Sequence, residues 1–301
     1  MLGKKKLFLF DIDGTVCLGD KLIPGVKPFL QDIKQSGGQF IFVTNNATKS
    51  VADYVTFFKG LGVACDEANF ITASYVTVYY LKTHYPDQLI YVLGTDSLQE
   101  ELKCNGIRVT TDCHEEGIAC VLVSYDNQLT YDKLVDVCWL LTKADVDYVA
   151  TNPDMVCPVE FGYVPDCGGI CEMIAHAVKK EPYYIGKPET AMVDFALKQN
   201  PYTKEETMLV GDRLYTDIRC GKKAGVDTVL VLTGETTNAD VSASVEKPNY
   251  VENSVATLYK KWRLVKTKSA PSFLKNTVFV SLFSIKYATI KVIYVWRKLW
   301  L

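Results

Sequence analysis

Histidine is scarce: His84, His114 and His176 are the only three in 301 residues. That leaves little for a Ser-His-Asp hydrolase, and no G-x-S-x-G turn is present to carry its nucleophile. A nucleoside-triphosphate P-loop is missing too, because Gly186-Lys187 runs into Pro188 where that loop needs Ser or Thr. The G-x-G-x-x-G dinucleotide fingerprint is absent, as are internal repeats and low-complexity linkers. No apolar run follows the lysines of residues 1–6 to make a signal peptide. The ten cysteines are therefore expected to be reduced thiols of a cytoplasmic protein, most of them small buried groups. Cys167 and Cys171 bracket Gly-Gly-Ile without a second pair, which argues against structural zinc.

Acidic residues stop at Glu252. All 35 lie up to that point against 23 of the 33 Lys and Arg, so residues 1–252 carry a net charge of −12. The rest carries ten positive charges and no negative one. Over the whole chain the balance is −2, which gives nucleic acid no claim as a partner. What is present is an ordinary globular composition, 48% hydrophobic and 23% charged, long enough for about two domains with a sizeable core.

Short apolar runs alternate with amphipathic stretches, the order that an α/β sheet with crossover helices needs. Leu7 to Phe10 reads as a buried strand and residues 26–35 as a helix with Phe29, Leu30 and Ile33 on one face. Gly37-Gly38 stops that helix before a strand at 40–43, completing a βαβ unit. Helical patterns at 51–61 and 75–81 flank a short strand at 70–71. A second cycle, with strands at 90–93, 119–123 and 146–150 and helices at 97–104 and 130–142, reads as an inserted domain. After a helix at 169–179, strands at 183–185, 207–210 and 228–232 alternate with helices at 189–198 and 215–224. The pattern permits two distant segments to share one sheet, with the middle segment as a lid.

Four of these strand ends carry polar residues. Asp11 and Asp13 follow the first strand, and side chains two apart in extended backbone point the same way, toward the carboxyl edge where open α/β sheets bind ligands. Carboxylates that close repel, and a divalent cation relieves them; a plain Asp-rich turn is the competing reading. Thr44 and Asn45 offer a hydroxyl and an amide at the second strand end. Lys187 places one positive charge just before a helix that Pro188 can start. Asp212 and Asp217 add two carboxylates at a fourth strand end. Together the set would suit Mg²⁺ held by carboxylates, with Thr, Asn and Lys neutralising a phosphate.

With these motifs in order, the chain resembles the haloacid dehalogenase superfamily phosphatases, in the NagD-type class IIA branch that includes p-nitrophenyl phosphatases. The likeness runs from Leu7 to about Leu232, and its wording is closest over residues 10–15, 43–48 and 185–189. It implies a Rossmann-like core with a parallel sheet flanked by helices, and an inserted α/β C2-type cap. The expected division is core at 1–80 and 182–265, cap at 81–181, and a basic, apolar tail at 266–301. It further implies that Asp11 is the nucleophile and a Mg²⁺ ligand, and that Asp13 is the general acid and base and binds the metal through its carbonyl. Thr44 and Asn45 would hold phosphoryl oxygens, Lys187 would bridge Asp11 and phosphate, Asp212 would bind Mg²⁺, and Asp217 would orient a water on the metal. The implied activity is hydrolysis of a small phosphorylated metabolite: a nucleotide monophosphate, sugar phosphate or phosphoglycolate. Transfer to an acceptor other than water, or binding of a phospho-ligand without turnover, are the alternatives.

Beyond these motifs, Asn152 and Asp154 in Thr-Asn-Pro-Asp resemble a cap-side motif reaching over the phosphate site, although Asn-Pro-Asp is equally good turn chemistry. Arg213, beside Asp212, is a further candidate for a substrate anion. The tail extends past the usual end of this branch. Residues 277–296 are long enough to span a bilayer, but Lys286 and Lys291 would cost roughly 2.5–3.5 kcal/mol each at its centre. An oligomer-forming segment or an unstructured extension is preferred there over membrane contact, for which Trp296, Arg297, Lys298 and Trp300 would suit an interfacial helix.

Overall fold

The computed structural model of the chain describes residues 2–46, 49–159 and 161–269. Its first sheet has six strands in the order Tyr250–Glu252, Asp227–Val231, Thr207–Gly211, Leu7–Phe10, Gln39–Thr44 and Phe70–Thr72, all parallel. Leu7–Phe10 lies in the middle because all four of its side chains are apolar and need cover on both faces. The chain leaves this strand toward one edge and returns on its other side, so a crevice opens at its carboxyl end.

One face of the sheet is aromatic. Phe8 and Phe10 each pack edge to face against Phe29, and Phe42 stacks on Phe58 with ring centroids 4.4 Å apart. At the opposite, amino-terminal end of the strands the buried Lys5 ammonium donates to the carbonyls of Glu205 and Thr207 and pairs with Asp227 at 2.8 Å.

The second sheet has five parallel strands in the order Tyr183–Tyr184, Asp147–Ala150, Ile118–Val123, Leu89–Leu93 and Arg108–Thr110. Helices Tyr131–Lys143 and Cys167–Val178 cover one face through Val137, Leu141, Ile170 and Ile174. The other face joins a single apolar cluster with the first sheet, in which Leu9, Ile41 and Val43 are continuous with Ile90, Val92 and Leu122. The fold is thus α/β, a Rossmann-like core with an inserted α/β cap, and the two share a core.

The expected boundaries do not fall where the sheets divide. Residue 80/81 lies inside the helix Ala73–His84. Residue 182 precedes a strand that pairs with Asp147–Ala150 of the cap sheet, not with the core sheet. A two-residue apolar run carries no label for its partner; the open edge beside Asp147–Ala150 and the shared cluster decide it. The hairpin Val156–Val159 with Gly162–Pro165 and the edge strand Tyr250–Glu252 were not expected, being short, the first with a proline at 158 within its apolar run and the last ending in Glu252.

Lys4–Thr257 form one compact unit, and the described residues 2–3 and 258–269 group separately. The last helix, Val255–Ser269, carries Lys266 with its ammonium 5.2 Å from the centre of the Trp262 ring. Among the described residues no helix is long and apolar enough to cross a membrane. The apolar tail segment expected at 277–296 lies outside the described residues, as does Thr48 of the second motif.

Candidate active site

Asp11 is the first residue past the central strand, and its N–H still donates to the carbonyl of Val210 at 2.9 Å. The ladder thereby carries the backbone one step beyond the strand and delivers the Asp11 carboxylate to the crevice. At the neighbouring strand end the Asn45 amide brackets Lys187: Nδ2 donates to the Lys187 carbonyl and Oδ1 accepts from the Lys187 N–H, both at 2.9 Å. The approach requires glycine before the lysine, since a Cβ on Gly186 would sit 2.7 Å from Asn45 Oδ1 and from the Thr151 carbonyl.

So placed, the Lys187 ammonium donates to Asp11 Oδ1 at 2.7 Å, Asp217 Oδ1 at 2.7 Å and the Val43 carbonyl at 3.0 Å. All three of its donors are used. Burial works against the ammonium, but Asp11 and Asp217 outweigh it and hold its pKa above the usual lysine range.

The strand Thr207–Gly211 supplies the remaining carboxylates. Asp212 follows it directly, accepting from the Glu235 N–H at 2.7 Å and the Thr15 hydroxyl at 3.4 Å. A wide helical turn, Leu214–Ile218, with the Ile218 N–H reaching the Arg213 carbonyl at 3.2 Å, folds Asp217 back beside it. Gly211 has no side chain because the Asp217 carboxyl occupies that space.

Asp11, Asp212 and Asp217 each present a carboxylate oxygen within 4.8 Å of the others, all three residues being buried. Burial pushes Asp11 well above the usual carboxylate range despite Lys187, and pushes Asp212, with help from Asp217, up to about 6. Three buried carboxylates against one ammonium leave an excess of negative charge that calls for a cation, and an all-oxygen donor set is what Mg²⁺ takes. No other such group of His, Cys, Asp or Glu occurs among the described residues.

Asp13 lines the cleft with Thr44 and Asn45 and is half-buried. From the cap, Asn152 Nδ2 donates to the Asn45 carbonyl at 3.1 Å. Asp154 Oδ1 accepts from Arg213 Nη1 at 2.9 Å, and Arg213 Nε lies 2.9 Å from Glu235 Oε2. The structure therefore brings all ten expected site residues to one cleft or its wall. Cap and core close on each other here, leaving a cavity of about 30 Å³, room for a water or two.

Asn46 and Thr216, neighbours of the expected residues within their motifs, also line the cleft, and four residues outside the motifs went unanticipated. Val156 and Cys157 line the cleft from the unexpected hairpin. Asp166 lines it from the start of the helix Cys167–Val178, where its Oδ1 accepts from the Cys167 N–H at 2.6 Å. Glu235 holds Asp212 through its N–H, which no sequence pattern signals. Asp166 did have a signal: an Asp before Cys-Gly-Gly and a helical run is a strong N-cap.

Burial pushes Asp166 up to about 6, above its range in an unfolded chain. A raised carboxyl contributes stability that is present below about pH 4 and is lost as pH rises through 6. Asp166→Asn keeps a capping oxygen and removes that loss. Thermal melts should show a higher Tm for the variant at pH 8 and equal values near pH 4.

Comparison with known families adds an independent observation. Residues 8–108 match the model of haloacid dehalogenase-like hydrolases, and residues 184–258 match a second, HAD-hydrolase-like model. An acid sugar phosphatase of Staphylococcus haemolyticus is 31% identical over 245 residues, 81% of this chain and 92% of its own length. The chain belongs to the haloacid dehalogenase-like hydrolases. Among solved members of the superfamily, the 4-nitrophenylphosphatase of Thermotoga maritima is 36% identical with a TM-score of 0.80, covering 86% of this chain and 98% of its own. NagD from Escherichia coli K-12 is 29% identical with a TM-score of 0.75, covering 84% and 97%. This hydrolase thus sits among NagD-like phosphatases of the superfamily, and the two family matches leave uncovered the greater part of its cap, residues 109–183.

Proposed function

We propose that this phosphatase hydrolyses small phosphomonoesters in two displacements through a phosphoryl group carried on Asp11. The observation that carries the reading is the junction of Asp11, Asp212 and Asp217 around the buried Lys187 at the carboxyl edge of the core sheet.

Asp11 attacks phosphorus, forming the Asp11 O–P bond as the ester P–O bond breaks, and Asp13 gives its proton to the departing alcohol oxygen. Asp13, now a carboxylate, takes a proton from the incoming water, whose oxygen bonds to phosphorus as the Asp11 O–P bond breaks. One hard displacement becomes two easier ones. Lys187 fixes the attacking carboxylate, while Thr44 and Asn45 hold phosphoryl oxygens. Asp11, the Asp13 carbonyl and Asp212 would hold Mg²⁺, with Asp217 supporting them, and when bound it supplies charge neutralisation between nucleophile and phosphate. Asn152 and Asp154 of the cap, with Arg213 of the core beside Asp212, form the wall that meets substrate.

The candidate substrates are sugar phosphates, nucleotide monophosphates and phosphoglycolate, in a reducing cytoplasm. A phosphate-release screen across them should find turnover with Mg²⁺. Thorough EDTA treatment should lower the rate by at least about 10³-fold, the scale on which a charge clamp contributes, and added Mg²⁺ should restore it. Full activity in EDTA would remove the metal from this scheme.

A further inference from the structure

The cations of the cleft are already spoken for. Lys187 is held by Asp11 and Asp217, and Arg213 by Asp154 and Glu235. On the cap side the wall is Asn152, Asp154, Val156, Cys157 and Asp166, with no cation among the described residues. Asp154 is neutralised by Arg213. Asp166 has no ion pair among the described residues, and one of its oxygens is taken by the Cys167 N–H, which leaves the other as an acceptor at the cleft. A carboxylate there at neutral pH accepts a hydrogen bond from a hydroxyl and repels another anion.

We infer that Asp166 sets the class of leaving group: this hydrolase takes esters whose alcohol is neutral and bears hydroxyls, and rejects those that carry a second anion. The inference rests on the phosphomonoesterase reading and narrows it. Of the three candidate classes it favours sugar phosphates and nucleoside monophosphates, whose alcohols are uncharged, and disfavours phosphoglycolate, whose alcohol carries a carboxylate. The physical basis is differential: both kinds of substrate present the same phosphate to Asp11, so discrimination comes only from what the alcohol meets on the cap wall. A buried unpaired carboxylate on the ligand would face Asp166 across a cavity with no free cation among the described residues to answer it.

The matched probes are glycerol 3-phosphate and 3-phosphoglycerate, similar in size and differing in a hydroxymethyl against a carboxylate, with 4-nitrophenyl phosphate as a reference. For the full chain with Mg²⁺ at pH 8, kcat/KM for glycerol 3-phosphate should exceed that for 3-phosphoglycerate by about 100-fold, a charge-recognition ratio of ordinary size. Asp166→Asn, isosteric and still able to cap the helix, should cut that ratio about tenfold by raising the rate on the anion. Asp166→Lys should cut it further, with 4-nitrophenyl phosphate turnover reporting that each variant still folds and works. A wild-type enzyme that hydrolyses both probes equally or prefers 3-phosphoglycerate overturns the inference and leaves the phosphatase reading standing. So does an unchanged ratio in Asp166→Asn. Absence of phosphate release from all three esters overturns the phosphatase reading, and this one falls with it.

Discussion

Asp11→Asn is expected to reduce kcat by 10⁴-fold or more, the scale for losing a nucleophile around which the other groups act as a unit. Its fold should survive. The amide has the shape of the carboxyl it replaces, and Lys187 keeps Asp217 and the Val43 carbonyl as acceptors. Removing one of three crowded carboxylates also relieves repulsion in a site where burial already disfavours charge. Melting of the metal-free variant at or above the wild-type Tm, together with lost phosphate release, would place the residue in the chemistry. Retained turnover would transfer the nucleophile's role elsewhere.

Lys187→Met should cost both activity and stability. With the ammonium gone, Asp11 and Asp217 face each other buried and unpaired, a situation worth about 3–5 kcal/mol. Urea denaturation of the metal-free protein measures the loss, and kcat should fall by about 10³-fold or more, since the attacking carboxylate loses its anchor. The double variant Asp11→Asn with Lys187→Met is the sharper readout. It buries one fewer unpaired charge, so its stability loss should be smaller than that of Lys187→Met alone, a coupling that independent sites would not show. Equal losses in the two proteins would mean that the short Lys187–Asp11 contact does not govern the site.

Much of this arrangement was legible in the sequence because its physics is local. Four apolar residues ending at an Asp made both the central strand and its polar carboxyl edge readable, and the helix at 26–35 showed its buried face through Phe29, Leu30 and Ile33. The motif residues could be placed at strand ends because a parallel sheet aligns such ends by construction. What was not legible depended on partners far along the chain. The two-residue strand Tyr183–Tyr184 carries no mark of the sheet it joins, and Glu235 acts through a backbone N–H that any residue could supply. Asp166 belongs to a third kind: its capping role was readable, while its position in the cleft depends on how the cap hairpin folds back, which no local pattern encodes.

The Tyr183–Tyr184 strand has a practical consequence for engineering. Because the segment leading into Lys187 is hydrogen-bonded to cap strand Asp147–Ala150, with the Gly186 N–H continuing the ladder to the Thr151 carbonyl at 2.8 Å, the lysine proposed to anchor Asp11 is tethered to the cap proposed to choose the alcohol. A chimaera that exchanges residues 81–181 for those of a relative would leave this lysine hanging from an unmatched edge. Grafts cut beyond Pro188 would transplant the selective wall and its ammonium as one piece.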